Sequence, residues 1–265
     1  MSNGIRFCFI ALGIALTACS SSPTGRNQII LFSDSDMSSL GSQSFEQMKQ
    51  ELAISKDKQV NAYVQCVTNA ITAYVPPQPA FTEWEVVVFD SEQVNAFALP
   101  GGKIGVYTGL LNVATDQDQL ATVIGHEIAH VLADHSNERL SQSQLANVGL
   151  QITDVALAGS GAGEYRGMTM AALGLGVQYG VILPYGRAQE SEADIIGLDL
   201  MARAGFTPTA SVSLWQNMAK ASGGSQPPEF FSTHPSHSTR IKDLREQIAK
   251  VPPAAGGKPN CQVPG

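Results

Sequence analysis

The sequence has no internal repeat and, beyond its first eighteen residues, no run that reads as a transmembrane helix of the mature chain. Without a repeat, the body reads as one domain rather than an array. Cysteine is scarce: there are four, and none has the C-x-x-C spacing of a zinc ribbon or a redox pair. Charged residues are sparse too, at 15 %, and their balance is acidic at a formal −7, which speaks against a nucleic-acid partner. Wholesale disorder is excluded by a 43 % hydrophobic content over 265 residues, enough for a sizeable core. The one internal stretch that invites a membrane reading, Met168 to Leu183, is broken by Gln178 and several glycines and falls short of the about 20 apolar residues a span needs. It reads as a buried helix packed closely at Gly176 and Gly180, with a mobile apolar lid or membrane-facing flap as the alternative.

The N-terminus reads as an address. Arg6 precedes an apolar run from Phe7 to Thr17, and Leu16-Thr17-Ala18-Cys19 follows. This is a signal peptide over residues 1–18, and L-T-A-C resembles a bacterial lipobox. Cys19 is then the acylated first residue of the mature chain, followed by a polar linker through residue 27; a secretory signal with an incidental cysteine is the alternative. Ser20, rather than Asp, after Cys19 points to the outer membrane and a periplasm-facing body. Lipid chains contribute about 0.8 kcal/mol per buried CH₂, so a multiply acylated cysteine would hold the chain on the bilayer. Cys8 leaves with the signal. Cys66 and Cys261 remain, and in an oxidising compartment they can form one disulfide tying the tail to an early helix, or stay as two thiols.

The body spans 28–251, followed by a Pro/Gly-rich tail over 252–265. Apolar periodicity predicts helices over 34–55 and 56–75, closed by Pro76-Pro77-Gln78-Pro79. Three short strands at 84–89, 95–99 and 103–107 fit a small antiparallel sheet. Asp116 opens the next helix, and further helices are expected over 137–158, 187–204, 207–222 and 237–250. The fold class is α+β, helix-rich, with the small sheet beside the helix that carries the chemistry.

That helix holds Ile124-Gly125-His126-Glu127-Ile128-Ala129-His130. His126 and His130, four residues apart, lie within about 40° of each other on one face. Two imidazoles so placed can share a Zn²⁺ ion, and Glu127 projects beside it, where a general base would sit. A catalytic zinc needs a third protein ligand, and Glu190 in Glu190-Ser191-Glu192-Ala193-Asp194 is the candidate. Asp194, again at i, i+4, can accept a hydrogen bond from the far nitrogen of a ligating histidine. Glu192 falls on the other side, solvated or ion-paired. His135 and His237 read as structural or surface residues.

H-E-I-A-H at 126–130 with E-S-E-A-D at 190–194 resembles the gluzincin metallopeptidase family of the CAAX prenyl proteases, in its bacterial periplasmic BepA/LoiP-like and OMA-type branch. N-A-F-A-L-P-G-G-K-I at 95–104 and V-Y-T-G-L-L at 106–111 are similar to that family's edge-strand region. The resemblance implies a zincin-like domain with one Zn²⁺ held by His126, His130 and Glu190, and Glu127 as general base. It makes Lys103, Ile104, Gly105, Val106 and Tyr107 the sheet edge on which an extended substrate adds as a strand. T-H-P-S-H-S-T-R at 233–240 is similar to a segment whose histidine can close over the zinc, so His234 becomes a regulatory fourth ligand or a transition-state residue; a loop histidine against solvent or Arg240 is the alternative. The implied activity is cleavage of misfolded or stalled envelope proteins, with the outer-membrane assembly machinery as a further partner. A chaperone-like or assembly-binding lipoprotein with a latent or structural zinc, and a non-peptidase zinc hydrolase, are the competing readings.

Overall fold

The structure, a computed structural model, describes residues 19–159, 183–221, 234, 239–252 and 257–264. The signal peptide over 1–18, nearly all of the apolar Met168–Leu183 stretch and His237 lie outside the described residues. The chain divides into two compact units, Met1–Ser33 with Asp134–Tyr185, and Asp34–Ala133 with Gly186–Gly265. These boundaries fall within the single body expected over 28–251.

In the first unit, β1 (Cys19–Ser21) and β2 (Asn27–Ile29) pair antiparallel, with Cys19 opposite Ile29 and Ser21 opposite Asn27. The expected linker over 19–27 is therefore an ordered hairpin. Its turn is closed by Ser22 N–H donating to Arg26 O at 2.8 Å and by Gly25 N–H donating to Ser22 O at 2.9 Å. Gly25 sits at φ +86°, where a side chain would be strained. Polar contacts then fasten this segment to α4 (His135–Gly159). Arg26 forks onto Glu138 with both bonds at 2.6 Å, and Gln28 donates to the same carboxylate at 3.3 Å. Leu31 N–H donates to Ser141 Oγ at 2.9 Å, and Asn137 Nδ2 to Phe32 O at 2.8 Å. Each partner is more than a hundred residues away.

The second unit begins with α1 (Asp34–Glu51) and α2 (Lys58–Thr72), the latter capped by Asp57 Oδ1, which accepts from Gln59 and Val60 N–H at 2.8 and 3.2 Å. Then come β3 (Glu85–Phe89), β4 (Ala96–Leu99) and β5 (Lys103–Tyr107), in the spatial order β3-β5-β4. β4 and β5 pair antiparallel across the Pro100-Gly101-Gly102 turn, while β3 joins β5 in parallel. The sheet is therefore mixed, not antiparallel throughout.

This order corrects the substrate-edge assignment. Lys103, Ile104, Gly105, Val106 and Tyr107 form the central strand, with both ladder sides used. Burial explains why: Ile104 and Val106 are fully buried, and the interior place goes to the strand that hides the most apolar surface. The outer side of β3 is bonded by residues 53–55 (Ser55 N–H to Val88 O, 2.8 Å; Asp90 N–H to Ala53 O, 2.7 Å). Among the described residues, β4 is left as the open edge.

One sheet face packs an aromatic cluster, Phe45, Phe89, Phe97 and Tyr107. A Cβ on Gly105 would stand 2.2 Å from the Phe97 ring, so that glycine makes room for it. The other face contributes Val88, Ala96, Ala98, Ile104 and Val106 to the main core, together with α2 and α3 (Gln117–Leu132). Asp116 caps α3 by accepting from Gln119 N–H at 2.8 Å. The remaining helices are α5 (Leu183–Arg203), α6 (Ala210–Ala221) and α7 (Arg240–Ile248).

Cys66 and Cys261 form a disulfide across a sequence separation of 195. Closing a loop of that length stabilises by about 5 kcal/mol in the chain-entropy account. The tail is ordered well beyond the cysteine: Lys258 Nζ reaches Asp118 at 2.6 Å, and Cys261 N–H donates to Gln117 Oε1 at 2.9 Å. Residues 257–264 thus strap the first turn of α3.

Candidate metal centre

α3 and α5 run antiparallel past one another, and two glycines set their separation. A Cβ on Gly197 would stand 2.9 Å from His126 N and 3.0 Å from Gly125 C; one on Gly125 would stand 3.0 Å from Gly197 O. Backbone meets backbone at the residue before His126. Glu190, Asp194, Gly197 and Met201 share one face of α5, and they meet His130, His126, Gly125 and Thr122 of α3 in reverse order.

The close crossing brings the donor atoms together. His126 Nε2 lies 3.0 Å from His130 Nε2 and 3.2 Å from Glu190 Oε2, and His130 Nε2 is 3.4 Å from Glu190 Oε1. His234 Nδ1 joins them, 3.3 Å from His126 Nε2 and 3.1 Å from Glu190 Oε1. All four residues are buried, and their donor atoms lie within 4.8 Å of one another. Donors held about 2.0–2.1 Å from a tetrahedral ion stand about 3.3 Å apart. The observed spacings straddle that value, so the cluster fits a zinc ion.

The surrounding groups orient this set. His126 donates from Nδ1 to Asp194 Oδ1 at 3.0 Å, leaving Nε2 to face the cluster. Arg240 bonds Glu190 Oε2 at 3.2 Å and Asp194 Oδ1 at 2.7 Å while lying 3.7 Å over the Trp215 ring. Glu127 Oε2 accepts from Ala98 N–H of β4 at 3.3 Å, and its Oε1 stands 3.3 Å from His234 Nε2. One ring nitrogen of His234 therefore points into the donor set and the other toward Glu127.

Charge in the cluster follows from these contacts. Burial alone would lower the His126 pKa, but its bonds to Asp194 and Glu190 outweigh that and raise it to about 9. Burial likewise opposes ionisation of Glu190 and Asp194, yet both stay below the usual carboxylate range. His126 and His234 hold Glu190 down, and Arg240 with His126 holds Asp194 down. Glu127 goes the other way: burial raises it against the pull of His234 and His126. Two ionised acids that draw positive charge to themselves, beside a carboxyl poised to take a proton, can hold a cation and move a proton next to it.

The structure brings His126, Glu127, His130, Glu190, Asp194 and His234 to one place. Glu192, expected solvated or ion-paired, is buried, and so is His135. Sequence reasoning missed Arg240, whose signal was its place in the row Arg240, Leu244, Ile248 on the inward face of α7. It also missed Gly125 and Gly197, two small residues seated among the candidate ligands of two helices.

The model of peptidase family M48 matches residues 54–248. Among known proteins, mitochondrial metalloendopeptidase OMA1 of Schizosaccharomyces pombe is 36 % identical, over 64 % of this chain and 48 % of its own length. Beta-barrel assembly-enhancing protease of Yersinia pestis is 29 % identical, over 78 % and 43 %. Metalloprotease LoiP of Escherichia coli is 27 % identical, over 92 % and 97 %. The chain spans about half the length of the mitochondrial relatives it matches.

Proposed function

The chain belongs to peptidase family M48, and from that premise we propose that it is a zinc-dependent endopeptidase, lipid-anchored by Cys19 to the outer membrane and facing the periplasm. The observation that carries the activity is the buried quartet of His126, His130, Glu190 and His234 with Glu127 alongside. His126, His130 and Glu190 would hold the ion, and Asp194 and Arg240 keep His126 and Glu190 in register. Zn²⁺ bound there supplies Lewis-acid chemistry, making water nucleophilic near neutral pH and polarising a carbonyl. Glu127 takes the proton of the attacking water and hands it to the leaving amine; its raised pKa suits that duty.

The peptide lies along β4. Ala98 N–H points away from β5 toward Glu127, so by ladder alternation Ala96 and Ala98 present the outward groups of that edge. An extended chain paired there would pass beside the base. The substrates are misfolded or stalled envelope proteins, in keeping with the β-barrel assembly that the name of the Yersinia relative mentions.

One observation favours a second reading. His234 Nδ1 fills the fourth donor position, the place a metal-bound water would otherwise take, and Nε2 faces Glu127. A lipoprotein that binds envelope proteins with its zinc held latent would look the same. Metal analysis and casein or unfolded-barrel digestion, with a chelator control, separate the two. The peptidase reading requires cleavage by the wild type or by His234→Ala, and loss of cleavage with zinc retained in Glu127→Gln. If zinc is bound and neither the wild type nor His234→Ala cuts, the binding role stands instead.

A further inference from the structure

The first unit carries a surface that the hydrolytic site does not use. Cys19 is the residue acylated in the lipoprotein reading, and a membrane-contact role for this unit rests on that reading. Cys19 is a strand residue, paired with Ile29; paired Cα atoms in antiparallel strands are about 4.5–5.5 Å apart. The strand is in turn clamped to α4 through Arg26 and Glu138. No slack separates the acylation point from the folded body. Acyl chains that enter a bilayer from Cys19 therefore bring Ile29 to the lipid–water boundary.

The surface beside it suits that boundary. Leu31 is joined through its N–H to Ser141. Leu145 lies one turn beyond Ser141 on the same face, and Val148 one turn beyond that. Ile29, Leu31, Leu145 and Val148 are all between 38 and 45 % exposed. No Asp, Glu, Lys or Arg occurs from Cys19 to Gly25, from Asn27 to Ser33 or from Leu140 to Thr153. A charge-free, apolar flank beside an acylated residue can sink about 5–10 Å into the headgroup region without desolvating an ion. We propose that this flank is a bilayer-contact surface: the lipid on Cys19 and the side chains of Ile29, Leu31, Leu145 and Val148 enter the membrane boundary together. The anchor then sets the orientation of the first unit, not only its distance from the membrane.

The test uses the acylated full chain in vesicles of phosphatidylethanolamine and phosphatidylglycerol. A solvatochromic label is placed at Leu145→Cys or Val148→Cys and read with and without vesicles, and with ordinary and brominated acyl chains. At both positions the label shifts to the blue on vesicle binding and its emission falls severalfold with brominated acyl chains. The unsubstituted protein gives the same answer by another route: a photoactivatable group carried on the lipid tails attaches to peptides covering 27–33 and 140–153. Labels at 145 and 148 that neither shift nor are quenched, with no photolabelling of those peptides, overturn the proposal. So does a blue shift that bromine does not quench and that grows with protein-to-lipid ratio, which would assign the flank to a second copy of the chain. The mass of the N-terminal peptide separates the two readings. An unacylated Cys19 sinks the lipoprotein assignment, whereas an acylated Cys19 with silent labels sinks the contact surface alone.

Discussion

Two buried carboxylate clusters, one in each unit, are each held by an arginine, and they do opposite things. In the first unit Arg26 forks onto Glu138, and Gln28 and Gln142 cap the same carboxylate. Cation, anion and amides balance, and the cluster fastens a hairpin to a helix. In the second unit Arg240 is shared between Glu190 and Asp194 while three histidine nitrogens crowd the same space. One guanidinium cannot satisfy two acids, and His126 is drawn to about pKa 9 to make up the difference. A closed pair is a fastener; a cluster short of positive charge is a seat for a metal ion.

The sharpest contrast is between two glutamates. Glu127→Gln is expected to lower hydrolysis by about 10²–10⁴-fold with zinc content unchanged, because it removes a proton acceptor and no ligand. Glu138→Gln should leave turnover per folded molecule intact and lower the melting temperature. Rates on an unfolded substrate, paired with metal analysis, check both, and loss of turnover in a well-folded Glu138→Gln protein would break the distinction.

Next come the arginines. Arg26→Met and Arg240→Met each strand a buried carboxylate, an effect of about 3–5 kcal/mol. Added zinc should recover a good part of the loss in Arg240→Met, since the ion supplies the missing charge, and none in Arg26→Met. Denaturant melts with and without zinc decide this; equal rescue of both variants would dissolve the comparison.

The glycines give a smaller effect. Gly197→Ala puts a methyl against His126 N and Gly125 C at 2.9 and 3.0 Å, which should cost about 1–3 kcal/mol and weaken zinc binding by spreading the helices. Gly149→Ala on α4 meets nothing within 4 Å and should stabilise by up to about 1 kcal/mol. Melting curves of the two, with zinc titrations, measure the difference directly.

The gentlest probe is pH. A metal ion must displace the proton that His126 holds up to about pH 9. Zinc affinity measured against a competing chelator should rise with pH and level off above about 9. In the metal-free protein the sign reverses. His126 is raised from 6.5 to about 9, so its contribution is complete below pH 6.5 and is lost as pH climbs through 9. A flat affinity profile would mean that the proton is not shared in this way.

The two clusters also differ in how far they could be read from the chain. His126, Glu127 and His130 are set by helix period alone, and Glu190 with Asp194 repeats that spacing, so the candidate ligands were legible once two helices were expected to meet. Glu138 and Arg26 carry no such pattern; they lie 112 residues apart in a helix and a stretch that looked like linker. Strands β3, β4 and β5 were each foreseen within a residue or two. Their order was not, and with it went the identity of the edge left open among the described residues, which moved from Lys103–Tyr107 to Ala96–Leu99. Arg240 was in view as a neighbour of His234 but not as the residue bracing Glu190 and Asp194.

Whatever repeats within a few residues belonged to the sequence by itself: the i, i+4 faces of α3 and α5, the Asp116 cap, the Pro100-Gly101-Gly102 turn. Backbone geometry converts such spacing directly into a shared face. The tertiary structure decided what no spacing encodes: that β5 lies inside the sheet, that Gly125 and Gly197 let two helices touch, and that Arg240 and His234 close on the His126, His130 and Glu190 cluster. It also decided that Cys19 begins an ordered strand. Those outcomes depend on which buried surfaces and charges find one another across distant stretches of the chain, and packing and charge balance select them only once the whole chain has folded.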